Sequence, residues 1–330
     1  MKKKTVSVLI GVAAVLLLTA AAAFGWVNHT HNKIGRVDDG QETVIPAEEE
    51  QFEPDDEPGE DTLAPEDIVW ATPEPVEIEP KITNILLIGQ DRRGTRGRGN
   101  SDSMIICSIN EKTRLITLVS LMRDMYVPFP GDYSDNRINA AYPYGGMPLL
   151  DELIQQDFGV TIDGNIEVDF GAFIKVMDMI APLEIELKRY EVGYMNAGTD
   201  WYLHEGVNAL NGEQLLRYAR TRHVGHADWE RTERQRRVLR AAFEKLRTWT
   251  LPQLQELADA VLPCLTTDMS NRELLSLLST VVGNRMTLGE SYRLPVDGYY
   301  SSEVIREMSV LVPDLAENSR FLREYLYGEE

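Results

Sequence analysis

ITNILLIGQDRR, residues 82–93, decides the fold class. From Ile82 to Ile88 the run is short, rich in strand-forming residues and apolar on both faces, and it stops at Gly89. A strand with one wet face alternates in polarity, whereas a strand covered on both faces does not. The stretch therefore predicts a buried strand of an α/β sheet. At its carboxyl end stands a charged cluster, Asp91-Arg92-Arg93, in the place where ligands gather on open α/β sheets.

Working outward, MIICSIN (104–110) and RLITLVSL (114–121) read as further strands joined by a short polar turn. Residues 146–158 and 169–181 carry apolar side chains at helical spacing, with a strand, GNIEV, between them and another, LEIEL, after them. GEQLLRYAR is helical in pattern, and Asp228 is placed to N-cap a long helix reaching Leu246. Two more helical stretches, 251–262 and 270–282, precede the strand-like SYRLPV. No linker or repeat interrupts the chain after Ile82. The expectation is a single α/β/α domain over 81–330, with a central mixed β-sheet.

The residues before it are of another kind. Val8 to Val27 are twenty residues without a charge behind Lys2-Lys3-Lys4. At 1.5 Å per residue they would span about 30 Å, a bilayer's hydrocarbon core. Residues 1–7 are then cytoplasmic, 8–27 a transmembrane signal-anchor, and everything later extracytoplasmic. A cleaved signal peptide ending near TAAAAFGW is the competing reading. The formal net charge is −20, but Asp38 to Pro80 alone hold seventeen acidic residues, seven prolines and no Lys or Arg, leaving about −3 elsewhere. Such a composition reads as a disordered extracytoplasmic linker over 28–80. The two cysteines, Cys107 and Cys264, make no framework, and Cys107 reads as core packing.

Three clusters carry candidate chemistry. Asp91 ends the first strand and Asp102 begins the next, after the loop GTRGRGNS. Two carboxylates at neighbouring strand ends suit Mg²⁺ (or Mn²⁺) held jointly with phosphate oxygens; the plainer reading is that both cap turns. Arg123 emerges where the third strand stops, and by itself it is an ordinary structural arginine. The third cluster is RYARTRHVGHADWERTERQRRVLR, residues 217–240, with eight arginines and no lysine. If YARTRH is extended, Arg220 and Arg222 point to one side. On the following helix Asp228, Arg231, Arg234 and Gln235 share a face. Arg236, Arg237 and Arg240 lie off it, solvated or paired with Glu230, Glu233 and Glu244. A solvated helix face normally mixes Lys and Arg, so the bias toward planar guanidinium forks points to phosphate or pyrophosphate.

Several functions are excluded or disfavoured. The folded part has no basic excess and no reading motif, so nucleic acid is no partner. G-x-x-x-x-G-K-[ST], G-x-S-x-G and H-E-x-x-H are absent, and His223 and His226 lack a third metal ligand.

The ordered blocks NILLIGQDRR, NSDSMIICSINEKTRLITLVSLMRDMYV, RINAAYPYGG, LNGEQLLRYARTRH and D-x-x-R-x-x-R-Q (Asp228 to Gln235) resemble the LytR-CpsA-Psr family of cell-wall phosphotransferases, from about Lys81 to Leu246. The resemblance implies transfer of a glycopolymer such as teichoic acid or capsular polysaccharide from a polyprenyl-pyrophosphate carrier to peptidoglycan, at the outer face of the cytoplasmic membrane. It implies that Asp91 and Asp102 hold Mg²⁺, and that Arg93, Arg123, Arg220, Arg222, Arg231 and Gln235 bind the pyrophosphate. Asp228 would orient the arginines or assist the acceptor hydroxyl. A departure from the family pattern is Asn100, where an arginine usually precedes Ser-Asp; residues 248–330 resemble the family weakly. Two alternatives stay open: a non-catalytic lipid-carrier or wall-binding regulatory module, and a polyprenyl-pyrophosphate hydrolase.

Overall fold

The run that decides the fold class forms strand β2 (Ile82–Gln90), and Ile85 to Ile88 are each at most 2 % exposed. Truncating one such side chain to alanine costs about 2–5 kcal/mol. The computed structural model describes residues 35–36, 46, 51–55, 59–71, 81–90, 99–221 and 227–328. The expected transmembrane segment, 8–27, lies outside the described residues, among which no helix is long and apolar enough to cross a membrane.

Along the chain, β1 (Gly35–Arg36) and β2 are followed by β3 (Ser101–Asn110), β4 (Leu115–Leu121), β5 (Tyr126–Val127) and β6 (Asn136–Arg137). Then come α1 (Ala141–Phe158), β7 (Gly164–Asp169), α2 (Phe170–Ile180), β8 (Leu183–Leu187), α3 (Arg189–Asn196), β9 (Gly206–Leu210), α4 (Gly212–Arg220) and α5 (Ala227–Leu246). The chain continues through α6 (Leu251–Val261), β10 (Leu265–Thr267), α7 (Asn271–Gly283), β11 (Thr287–Leu294), β12 (Tyr300–Ile305), β13 (Met308–Pro313) and α8 (Leu315–Tyr327).

A seven-stranded sheet runs in the order β1-β10-β7-β2-β3-β4-β11 among the described residues. β2 pairs antiparallel with β3 and β1 parallel with β10, so the sheet is mixed, as the sequence predicts. Arg114 closes the β3–β4 turn with φ 57°. Cys107 packs in the core as expected, and burial pushes its thiol up to about 12. Both cysteines are free.

The expectation of a single domain is refined. The described residues form two compact units, one falling within 1–37, 111–118 and 166–291, the other within 38–110, 119–165 and 292–330. Three of the five boundaries fall inside β4, β7 and β11, where no linker composition marks them.

In the first unit, Asp169 caps α2 by accepting from Ala172 N, and Asn211 and Gln214 form a reciprocal capping box at the start of α4. Gly212 N donates to Asp178 Oδ1 of α2 at 2.8 Å, and a Cβ at Gly212 would stand 2.7 Å from the Ile174 carbonyl oxygen. Only glycine permits that approach.

In the second unit, α1 begins earlier than its apolar spacing suggests and breaks at Gly146, whose φ is 66°. The β12–β13 hairpin and α8 complete this unit without an obvious sequence signal. Here the reading of 28–80 as a disordered linker is corrected for residues 51–55 and 59–71. Phe52, Leu63, Ile68 and Trp70 pack against a cluster of Tyr126, Ile305, Met308 and Val310. Backbone bonds run from Asp55 N to the Glu307 carbonyl at 3.1 Å and from Thr62 N to the Val304 carbonyl at 2.9 Å. The side chain of Gln51 is 4 % exposed, and its Oε1 accepts from Ser134 N. The composition is that of a linker, but the few apolar residues are spaced to meet one hydrophobic cluster.

Candidate functional site

β3 begins at Ser101 and β4 ends at Leu121, and the second residue of β3 meets the residue two places past the end of β4. Arg123 Nη1 donates to Asp102 Oδ1 at 2.8 Å. Arg123 Nε also lies 3.3 Å from Asp124 Oδ1. Both carboxylates and the guanidinium are between 21 and 24 % exposed, enough shielding for the charges to matter and enough opening for a ligand to reach them. The arginine is thus a structural partner of Asp124 and also one wall of the candidate site.

Asp91 and Arg93 lie outside the described residues, as do Arg222, His223 and His226. A cation that keeps most of its shell as water and phosphate oxygen needs few protein ligands, and the hard oxygens of Asp102 suit it. Among the described residues no group of three or more His, Cys, Asp or Glu gathers to hold a metal by itself. Of the two carboxylates expected to hold the cation, only Asp102 is described, and its Oδ1 accepts from Arg123.

A polar cavity of about 210 Å³ opens in the same unit, lined by Glu53, Asn100, Asn136, Arg137, Asn139 and Tyr144 among others. Asn100 Nδ2 donates to Glu53 Oε2 at 2.8 Å. The residue that departs from the family pattern is therefore held by the acidic segment. Sequence reasoning missed Glu53, Asp55 and Arg137; the RINAAYPYGG block held the only signal, since Arg137 opens it.

The arginine-rich stretch belongs to the first unit. Arg220 is exposed and is the last residue of α4, whose bounds match the helical reading of GEQLLRYAR; the alternative in which Arg220 is extended is corrected, and Thr221 is the cap. Asp228 lies inside α5, which starts at Ala227, and so is not its N-cap; its side chain lies outside the described residues. Arg231 and Gln235 are 3 % and 8 % exposed.

Arg234, expected to share their face, is the most enclosed charge among the described side chains of the stretch, at 1 % exposure. Its Nε donates to Glu191 Oε1 at 2.7 Å, its Nη2 to Glu230 Oε2 at 2.6 Å, and its Nη1 to the Thr221 carbonyl at 2.8 Å. Arg237 pairs with Glu233, as expected, and also donates to the Tyr218 hydroxyl at 3.0 Å. Burial would push the Glu233 carboxyl up, but Arg237 holds it below its ordinary range. Arg240 reaches the Gly289 carbonyl, and Arg236 is 6 % exposed. Arg236 is thus not solvated, and the charges of Arg236 and Arg240 act on Glu233 and Glu244 respectively, within the pairing expected of them. Much of the arginine excess here is internal structure.

A profile of the LytR_cpsA_psr family matches residues 65–322, and the chain belongs to that family. The regulatory protein MsrR of Staphylococcus aureus is 31 % identical over 172 residues, which are 52 % of this chain and 51 % of that protein. The polyisoprenyl-teichoic acid–peptidoglycan teichoic acid transferase TagU of Enterococcus faecalis is 30 % identical over 192 residues, 57 % of this chain and 61 % of that protein. The chain thus spans between about half and three fifths of these relatives' lengths. The crystal structure of gbs0355 from Streptococcus agalactiae superposes with a TM-score of 0.64 at 23 % identity, over 74 % of this chain and 88 % of that one, and shows the same mixed α/β fold.

Proposed function

We propose, from that family membership, that the protein is a phosphotransferase joining a glycopolymer such as teichoic acid to peptidoglycan. The observation that carries the reading is the family match across residues 65–322, and the Arg123–Asp102 pair supplies chemistry that fits it. The donor is a glycan on a polyprenyl-pyrophosphate carrier. An acceptor hydroxyl oxygen of peptidoglycan forms a bond to the glycan-side phosphorus, and the bond from that phosphorus to the bridging oxygen breaks. Polyprenyl phosphate leaves, and the hydroxyl proton passes to a carboxylate, for which Asp228 is proposed.

Phosphoryl transfer asks the protein mainly to position groups and neutralise charge. Arg93, Arg123, Arg220, Arg222 and Arg231 would bind the phosphate oxygens, with Gln235 adding a hydrogen bond. Asp91 and Asp102 would hold Mg²⁺, which when bound neutralises charge on the pyrophosphate. Arg123 is suited to the task because its fork already spans Asp102 and Asp124 and can present a planar donor edge. The uncharged run 8–27 would anchor the chain, with the fold extracytoplasmic.

The test uses the full chain in detergent or lipid nanodiscs with Mg²⁺, a polyprenyl-pyrophosphate glycan and peptidoglycan fragments. A joined product, lost in Arg123→Lys and Asp102→Asn with the fold retained, supports the reading. Phosphate released without joining makes the protein a hydrolase. If neither reaction is seen, the protein is a non-catalytic binding module. Protease added to intact cells should remove the folded part; full protection overturns the extracytoplasmic placement.

A further inference from the structure

Five charged side chains of one unit alternate in sign from the acidic segment to the candidate site. Asp55 Oδ1 accepts from Arg137 Nη2 at 2.7 Å. Arg137 Nε lies 4.0 Å from Asp124 Oδ1, and Arg123 Nε lies 3.3 Å from the same oxygen. Arg123 Nη1 then reaches Asp102 Oδ1 at 2.8 Å. Each member is between 14 and 31 % exposed, so the chain is shielded far more than a surface ion pair.

We propose that Asp55 is a positioning residue of the candidate site, acting through Arg137 and Asp124 on the guanidinium of Arg123. The proposal rests on reading Arg123 and Asp102 as part of a pyrophosphate and cation site. The physical argument is one of competition. Asp124 Oδ1 is shared by two guanidinium groups, and Arg137 has part of its fork drawn off by Asp55 and by the Ser309 carbonyl at 2.9 Å. Without the Asp55 carboxylate, Arg137 turns its fork onto Asp124 and competes with Arg123 for it. Arg123 then shifts against Asp102.

A second contact reaches the same place independently. Glu53, two residues before Asp55, accepts from Asn100, which directly precedes Ser101-Asp102. The backbone carbonyl of Glu53 also takes a bond from Arg137 Nη1 at 3.4 Å. Asp55 is itself fixed, since its Oδ2 accepts from Ser309 N at 2.8 Å. The acidic segment is thus a brace rather than a tether: its docked carboxylates set the arginine that faces the ligand.

The experiment compares Asp55→Asn with Asp61→Asn in the full chain. Asp61 docks the same segment by accepting from Arg306 N and Glu307 N, but it takes no part in the charge chain. One readout is the ¹⁵Nε–H resonance of Arg123 in arginine-labelled protein without ligand. The other is affinity for geranylgeranyl pyrophosphate with Mg²⁺ by calorimetry. Asp55→Asn should move the Arg123 resonance and weaken binding by about tenfold, a usual size for coupling between contacting charges. Asp55→Glu should restore both, and Asp61→Asn should leave both close to wild type. An unmoved Arg123 resonance in Asp55→Asn overturns the proposal, whatever the ligand does. A moved resonance in a protein that binds no pyrophosphate upholds the charge chain and overturns the site reading instead.

Discussion

Residues 51–55 and 59–71, taken together, and helix α5 are opposite in charge, and each behaves against its composition. The first is acidic and proline-rich and docks on one unit through Asp55, Asp61, Thr62 and Trp70. The second is arginine-rich and turns Arg234 and Arg237 inward onto Glu191, Glu230 and Glu233. The difference lies in the partners. An acidic run beside exposed backbone N–H groups and one unsaturated arginine finds capping work; an arginine run beside glutamates of its own helix and Glu191 of α3 becomes a core network. Charge density alone distinguishes neither case from a solvated surface.

The largest expected effect tests the internal network. Removing one member of a buried charge pair leaves the other without compensation and costs about 3–5 kcal/mol. Arg234→Ala should therefore lower Tm by at least about 6 °C in the intact protein. Its loss also frees the Thr221 carbonyl, next to Arg222. An unchanged Tm would return α5 to the class of solvated helices.

The docked segment should yield a smaller loss. Trp70 Nε1 donates to Asp135 Oδ2 at 2.8 Å, and its ring stacks on Tyr126 with centroids 6.4 Å apart. Trp70→Ala should cost about 2 kcal/mol of local docking, less than a fully buried Trp because this one is half-buried. A glutamyl endopeptidase should then cut at Glu53, Glu60 or Glu66 more than about tenfold faster. Equal rates in wild type and variant would restore the linker reading.

Two aspartates of the same unit sharpen what partners do. For Asp55, burial acts to raise the carboxyl, but hydrogen bonds from Arg137 and Ser309 outweigh it and hold it below 3.8. Its docking energy is therefore full above that value and is lost as pH falls through the lowered one. For Asp157, burial pushes the carboxyl up to about 8, with only Gln156 donating to Oδ1 and with Oδ2 buried without a partner. Its folded form prefers the proton, so its contribution weakens as pH rises from about 4 to about 8. Asp157→Asn should raise Tm at pH 8 by about 4 °C or more and lose that advantage near pH 4. A pH-independent gain would sink the assignment.

The fold was largely legible because β2, β3, β7, α2, α6 and α7 each carry a period or an apolar run that needs burial. The β12–β13 hairpin was not, since its strands are half-buried and its partners, Phe52 to Trp70, sit far away in sequence. Of the site, Asp102 was legible at the start of a strand and Arg123 just past the end of one. Arg137, Asp55 and Glu53 were not, because their roles depend on a docking that composition argues against. The inward turn of Arg234 was hidden for a related reason: Glu191, the more buried of its two carboxylate partners, lies on another helix.

The smallest effect expected is the control for the whole comparison. Arg247, just past α5, donates to Glu244 at 3.3 Å, with the two side chains 44 % and 53 % exposed. It carries the same guanidinium as Arg234 and pairs with the same kind of carboxylate at helical spacing. What it lacks is enclosure. Water screens the pair, and holding two long side chains in register costs about as much entropy as the attraction returns. Its guanidinium also lies 5.8 Å from the Phe243 ring centre, a weak contact at that distance and exposure. Arg247→Gln keeps the stem and removes the charge, so Tm should stay within about 1 °C of wild type. A shift as large as that of Arg234→Ala would mean that total charge along the helix sets stability. Burial beside Glu191 would then have nothing to do with it.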